Sequence, residues 1–502
     1  MILSKEITDF LKYCLGNKVD MKEAAVKMDW RQLFAFAQKQ TILGICLDGI
    51  ERLGKEYPEE IKQNPIKLDL LQTWISKGMQ IRKQNVRLNA VAAKLHAQLR
   101  EEGLRYCVLK GQGNALMYPN PYARTPGDVD LWVNASREQI IDYTKKHFEI
   151  GDDIHYHHLE TSLDGVPVEL HFFPCTMNNP ICNRRLQAWF KRNADLQCSN
   201  VVQLPDGAGE IAVPTATFNV IYQLSHLYHH FFDEGIGMRQ MIDYYYVLSE
   251  ERRVKSEESA STAIPFSNTN CSNRSNKVLN TERTENTEVS FLNHESNESY
   301  EFLEKNRKNT RESCSLFAKV FDEESASSAC ERAHAAGTNS SSMPLHGICM
   351  PLEQKHRFAQ KHDLADGNTK HKTQNVKQGT DAQVALQREL RHLGLYDFAG
   401  AVMYVLHEVL GLPEERMIAP MDVKRGELLL SEIMDGGNFG KHASKYGHFT
   451  QQGMAKKYFL KIWRNMHFVR YYPAEALSEP IFRTWHFFWR LVHKANGFAL
   501  QS

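Results

Sequence analysis

Residues 159–172 restrict the fold most, because alternating residues flank Asp164-Gly165 on both sides. Asp-Gly between such runs is the signature of a two-residue type I′ hairpin. A turn of that length sets Leu163 opposite Val166, Glu160 opposite Glu169 and His158 opposite His171. Side chains on a strand alternate between faces, so these two acids and two histidines share one face, and Val168 and Leu170 take the other. Like charges directly opposite one another are unfavourable. Either the polar face is the outside of an exposed edge hairpin, or a cation gathers it. Pro167 lacks an N–H and predicts an edge position for its strand.

The neighbouring sequence extends this hairpin into a compact unit. Leu70–Glu102 reads as a long helix that Gly103 stops at a C′ position. Arg105–Leu109 is then a buried strand, Lys110-Gly111 a turn, and Asn114–Met117 a short helix ended by Pro119 and Pro121. Val129–Val133 is a second strand. Ser136 with Gln139 three residues on predicts a capping box that opens a helix to about His147. A strand–helix–strand–helix–hairpin order of this kind gives a small α/β sheet core.

Beyond this unit the chain of 502 residues changes character. Helical patterning fills residues 1–102 and 201–250, on either side of a core at 103–200. Residues 251–380 are dominated by Ser, Asn, Thr, Glu and Lys, with too little apolar surface to offset chain entropy, and read as a disordered low-complexity insertion. Helical patterning resumes over 381–502. The predicted class is therefore α+β, a small sheet core flanked by helical N- and C-terminal regions and interrupted by a long insertion. Between Tyr458 and Ala495 come Trp463, Phe468, Tyr471, Tyr472, Phe482, Trp485, Phe487, Phe488 and Trp489, interleaved with basic residues. Stacking on a base is conceivable there, and the plainer reading is an aromatic seam between helices.

Charge excludes some partners. Lys plus Arg number 61 against 60 Asp plus Glu, a net charge of +1, so no bulk field gathers a polyanion and nucleic acid is not favoured. The beginning, MILSKEITDF, has no apolar signal-peptide region, and no run of about 18 uncharged apolar residues suggests a membrane span. Ten cysteines without paired spacing suggest reduced thiols, and with them a cytoplasmic setting.

Chemistry concentrates between Leu109 and His171. In Gly127-Asp-Val-Asp-Leu-Trp-Val133 the one-residue separation puts Asp128 and Asp130 on one face of a strand. Burying two adjacent carboxylates costs several kcal/mol unless a cation neutralises them. All-oxygen ligands of this kind suit Mg2+ or Mn2+, which bind one or two carboxylates together with substrate phosphates. Glu169 is the third acid. Lys110-Gly111 ends a strand and opens a helix, where free N–H groups, a close approach and an ammonium all favour phosphate. Arg124, four residues before Asp128, offers a planar fork to the same phosphates.

Several further signals are weaker. Asp152-Asp-Ile-His-Tyr-His-His158 contains zinc-type ligands at spacings that match no standard site. His226, His229 and His230 lie at helical spacing and either project toward the acids or are satisfied on a helix face. Gly436–Lys441 is one residue short of a P-loop and reads as an ordinary loop.

The order Leu-Lys-Gly111, Leu116-Met-Tyr-Pro119, Arg124, Gly127-Asp-Val-Asp-Leu131 and Val168-Glu-Leu-His171 resembles the uncharacterised bacterial nucleotidyltransferases of the polymerase-beta-like superfamily. His226-Leu-Tyr-His-His230, Gly237-Met-Arg239 and Asp243 are similar to that family's helical part. The resemblance implies that Asp128, Asp130 and Glu169 hold metal and are catalytic, and that Lys110, Gly111 and Arg124 bind the nucleotide phosphates. His158, His171, His226, His230 and Arg239 are expected as substrate contacts or supporting residues. The superfamily's usual Gly-Ser phosphate contact is Gly111-Gln112 here, preceded by lysine. The expected reaction moves a nucleoside monophosphate from an NTP, ATP in the first instance, to a small-molecule or protein hydroxyl. Two alternatives remain open: a non-catalytic nucleotide-binding or regulatory module, and an antitoxin-like enzyme acting on a partner protein.

Overall fold

A computed structural model describes residues 3–148, 155–262, 369–442 and 454–497. Residues 1–252 and the later described residues, from 369 on, form one compact unit. The N-terminal helices are α1 (Lys5–Cys14), α2 (Lys22–Lys27), α3 (Trp30–Lys39), α4 (Leu43–Glu56), α5 (Pro58–Gln63) and the long α6 (Leu68–Glu101). Gly103, at φ +68°, follows α6 in the left-handed conformation that terminates helices. Next come β1 (Tyr106–Leu109), α7 (Gly111–Ala115), β2 (Val129–Val133), α8 (Arg137–His147), β3 (His158–Leu163) and β4 (Val166–His171). They are followed by α9 (Pro180–Ser199), a small ribbon of β5 (Val201–Gln203) and β6 (Glu210–Ala212), α10 (Ala216–Asp233) and α11 (Met238–Thr262). The later helices are α12 (Thr369–Leu393), α13 (Tyr396–Glu408), α14 (Val423–Gly436), α15 (Met454–Phe468) and α16 (Pro473–Gly497). Helix thus runs into both ends of the expected 251–380 insertion, and residues 263–368 lie outside the described residues.

The four-stranded sheet has the order β1-β2-β4-β3, with β2 and β4 parallel and the outer pairs antiparallel. Its hairpin register is the one alternation dictates: Glu160 pairs with Glu169, His158 with His171 and Leu163 with Val166. Asp164 and Gly165 have φ of +51° and +68°, the two positive angles of a type I′ turn. Val129, Leu131, Val133, Val166, Val168 and Leu170 share one core with Leu88, Val91, Leu95 and Leu99 of α6 and with Ile140 and Tyr143 of α8. On the opposite face Trp132 packs against Phe190 of α9 and Phe218 of α10, with ring centroids 6.2 and 5.9 Å apart. The capping box is present: the Gln139 amide donates to the Ser136 hydroxyl, and the Ser136 amide donates to the Gln139 side chain.

Three expectations change. Pro167 does not mark an edge, because β4 lies between β2 and β3 and the edge strands are β1 and β3. The β2 ladder begins only at Val168, so no β2 partner is left waiting for the N–H that proline lacks. The helix expected at Asn114–Met117 opens earlier, at Gly111, because Lys110 adopts φ +54° and turns the chain directly out of β1. The aromatic seam is only partial. Phe468 and Tyr472 are buried, but Trp463, Trp485, Phe487 and Phe488 are 44–60% exposed and Ile481 is 73% exposed. Apolar residues surround α16 on more than one face: Glu475, Ala476 and Glu479 are buried on one side, and Phe482, Trp485 and Trp489 meet the Tyr156 ring at 6.3, 5.0 and 5.4 Å. Among the described residues no helix is long and apolar enough to cross a membrane, and the described cysteines are free thiols.

Candidate active site

Parallel pairing of β2 with β4 sets Asp130 beside Glu169 and Trp132 beside His171. Asp130 is buried, as is His171, while the Glu169 side chain keeps 24% of its exposure. Nε2 of His171 lies 3.1 Å from Asp130 Oδ1 and 3.1 Å from Glu169 Oε2, so the imidazole bridges the two acids. From the turn after β1, Lys110 Nζ reaches Asp130 Oδ1 at 3.1 Å. These groups stand on the face away from the core shared with α6 and α8, which is where alternation sends them.

Electrostatics follow from this crowding. Burial pushes Asp130 up, but the Lys110 ammonium and the His171 hydrogen bond outweigh it and hold the carboxyl well below its usual range. Burial also pushes Glu169 up, and the hydrogen bond from His171 reverses the shift. His171 itself is pulled down by burial, yet its bonds to Asp130 and Glu169 raise it to about 9, so the ring is an imidazolium at neutral pH. Asp128, one residue before β2, is raised first by Asp130 and then by burial. In the protein alone, a lysine and a protonated histidine balance the acids. A divalent ion would take over that role, and three carboxylate side chains fit the hard, oxygen-seeking character of Mg2+ or Mn2+. Asp130, Glu169 and His171 each present a ligand atom, all within 4.8 Å of one another.

The other expected residues fall into two groups. His226 and His230 come to the site: Lys110 Nζ is 3.0 Å from His226 Nε2, which is 3.0 Å from His230 Nε2. Burial, reinforced by the Lys110 charge, pushes His226 far down and keeps it neutral, so it accepts from the lysine. His158 Nδ1 stands 3.8 Å from Glu169. Gly111, at φ +39°, opens α7 with its Cα facing the Asp128 carbonyl. Arg124 is engaged elsewhere. Its Nε and one terminal nitrogen donate to the two oxygens of Asp243, both at 2.8 Å, and only Nη1 is left without a partner. Arg239 Nη1 donates to the Thr125 carbonyl at 2.9 Å, supporting the loop that leads into Asp128.

The sequence named Asp243 only through the family resemblance and missed the other residues that hold this loop. Asp243 accepts from both Arg124 and the Tyr118 hydroxyl, the latter at 2.6 Å. Asn85 of α6 donates to the carbonyls of Tyr122 and Arg124. Asn114 and Gln223 exchange amide hydrogen bonds of 2.9 and 2.7 Å, fixing α7 to α10. Phe439, from the loop resembling a truncated P-loop, packs on His230 with ring centroids 5.2 Å apart. The single available signal was a buried polar residue on an otherwise apolar helix face, as Asn85 is on α6.

Residues 27–263 match the family model described as uncharacterised nucleotidyltransferase. That span begins in α2 and ends just past α11, and it contains every residue named in this site except Phe439. No curated protein and no solved structure matches the chain.

Proposed function

Since residues 27–263 carry the sequence of an uncharacterised nucleotidyltransferase family, we propose that the protein is a metal-dependent nucleotidyltransferase that moves a nucleoside monophosphate from an NTP, ATP first among them, to a hydroxyl group. The observation that carries this reading is the meeting of Asp130 and Glu169 on adjacent parallel strands, beneath Lys110 and beside Asp128. Asp128, Asp130 and Glu169 would hold Mg2+ or Mn2+. When bound, the ion supplies charge that draws the triphosphate in and stabilises the leaving pyrophosphate.

The protein's own groups do the rest. The Lys110 ammonium, 3.1 Å from Asp130, would bind the phosphates beside the acids. Arg124, anchored on Asp243, holds the Asp128 loop in place. An acceptor hydroxyl oxygen attacks the α-phosphorus, the bond from that phosphorus to the bridging oxygen breaks, and pyrophosphate leaves. The hydroxyl proton passes to Glu169, the more exposed of the two paired carboxylates. His171, bonded to both acids, keeps their oxygens turned to one point. Fold alone does not choose between a small-molecule and a protein acceptor. The test is incubation of the purified protein with each α-labelled NTP, Mg2+ or Mn2+, and a cell extract. Label transferred by the wild type but not by Asp130→Asn supports the proposal. No transfer from any nucleotide would overturn it in favour of a non-catalytic module.

A further inference from the structure

Three histidines beside the carboxylates have no part in the transfer chemistry as a group. His157 and His158 lead into β3, and His171 ends β4 directly opposite His158. The ladder continues one step further, since the Phe172 amide donates to the His157 carbonyl at 2.9 Å. Ring centroids are 4.3 Å apart for His157 and His158, 5.3 Å for His158 and His171, and 5.8 Å for His157 and His171. A ligand nitrogen from each of the three lies within 4.8 Å of the others.

Hydrogen bonding explains what these rings are prepared for. Nε2 of His158 pairs with Glu160 Oε1 at 3.2 Å, and Nε2 of His171 pairs with Asp130 and Glu169. In both rings Nδ1 is buried without a hydrogen-bond partner, that of His158 lying 3.8 Å from Glu169, and the residues are only 8% and 4% exposed. Leaving a buried polar atom unsatisfied is costly, and here two such atoms belong to adjacent rings. An imidazole held by a carboxylate through one nitrogen, with the other nitrogen free, has the pattern of a metal-ligating histidine, whose carboxylate fixes the ring and raises its basicity.

We propose that His157, His158 and His171 form a second metal site, nitrogen-rich and suited to a borderline divalent transition-metal ion of the Zn2+ or Co2+ type. Imidazole nitrogen prefers such ions to Mg2+, and three histidines with an open fourth position satisfy Zn2+. Burial, followed by repulsion from the neighbouring histidines, keeps His157 neutral and its lone pair available. Spacing along the chain hid this site, because its third ligand is thirteen residues beyond His158 and arrives only through the hairpin. It shares His171 with the carboxylate centre, and its test reads the metal alone.

Full-length, metal-stripped protein titrated with Co2+ gives that test. Nitrogen-ligated Co2+ of low coordination number absorbs strongly in the visible, whereas Co2+ held by oxygen and water absorbs faintly. The expected result is an intense visible band, bleached by one equivalent of Zn2+, with affinity at least tenfold weaker in His157→Gln and retained in Asp128→Asn. Far-UV circular dichroism checks folding, and His157→Asn replaces His157→Gln if the latter does not fold. The proposal is overturned by absence of the band, by a band unchanged when His157 is replaced, or by a band lost in Asp128→Asn, which would put the ion in the carboxylate centre.

Discussion

Asp130 is contested by two cations. Lys110 and His171 both lie 3.1 Å from the same oxygen, Oδ1, and in the protein alone they keep the carboxylate charged in a buried place. Asp130→Asn removes the charge without changing the shape. It should lower transfer activity by at least a thousandfold and weaken Mn2+ binding, as measured by electron paramagnetic resonance, with little change in fold. Equal Mn2+ affinity in mutant and wild type would remove the metal assignment. A different outcome is expected at Asp243, where the role is to position Arg124. Truncating one partner of a buried, doubly hydrogen-bonded pair strands the other charge, at about 3–5 kcal/mol. Asp243→Ala should therefore lower the thermal midpoint strongly, while Arg124→Lys keeps the charge, loses the fork and falls between Ala and wild type. Denaturant melts of the two variants give the order.

At the scale of elements, strand alternation and turn chemistry decide most of the site. The hairpin was legible because Asp164-Gly165 permits one register, and that register brings Glu169 and His171 to the Asp130 face. Gly165 at φ +68° cannot take a β-branched side chain without strain, so Gly165→Val should cost about 1–3 kcal/mol. A melt as stable as wild type would show that the turn does not set the register. The parallel β2–β4 pairing was not legible: alternation tells which face a residue takes but not which strand lies next to it, and Pro167 argued for the wrong place. Arg124 was misjudged for a related reason, since its partner Asp243 is 119 residues away on a helix. Helix α16 was beyond the same reasoning, and its first turn carries a further test. Glu475 accepts from the backbone amides of Asn178 and Asn179, yet burial pushes its carboxyl up to about 7 from an ordinary 4.5. The folded protein therefore binds that proton more tightly than the unfolded chain does. The resulting stability is complete below about pH 4.5 and is lost as pH rises through about 7, roughly 3 kcal/mol in all. Between pH 5 and 8, Glu475→Gln should lose less stability than wild type in urea titrations. Parallel curves would show that the carboxyl is not held protonated.

For the whole molecule, the family match and the folding unit do not coincide. The match stops at residue 263, but the helix that carries His226 and His230 is completed by residues from the C-terminal third. Phe231 stacks on Phe468 with centroids 4.7 Å apart, Tyr228 meets Phe398 at 4.8 Å, and Phe232 lies 5.9 Å from Tyr472. Phe231 and Phe232 are fully buried. Arg464 closes the end of the same helix by donating to the Phe231 and Phe232 carbonyls at 2.7 and 3.2 Å while pairing with Glu432. From the N-terminal side, Gln40 donates to the Ile433 carbonyl and accepts from the Met238 amide, tying α3, α11 and α14 together. Removing everything after residue 262 would expose this aromatic surface. At about 1.5–3 kcal/mol for each large apolar side chain returned to water, three such residues already amount to about 5–9 kcal/mol, comparable to the stability of an ordinary domain. A fragment of residues 1–262 should accordingly be insoluble or bind a hydrophobic dye strongly, despite holding every acid of the site. Co-expression with residues 369–502 should restore a soluble complex, because the lost contacts are side-chain packing and helix capping and need no covalent link. A soluble, cooperatively melting fragment 1–262 would show instead that the aromatic contacts are dispensable and that the family span folds by itself.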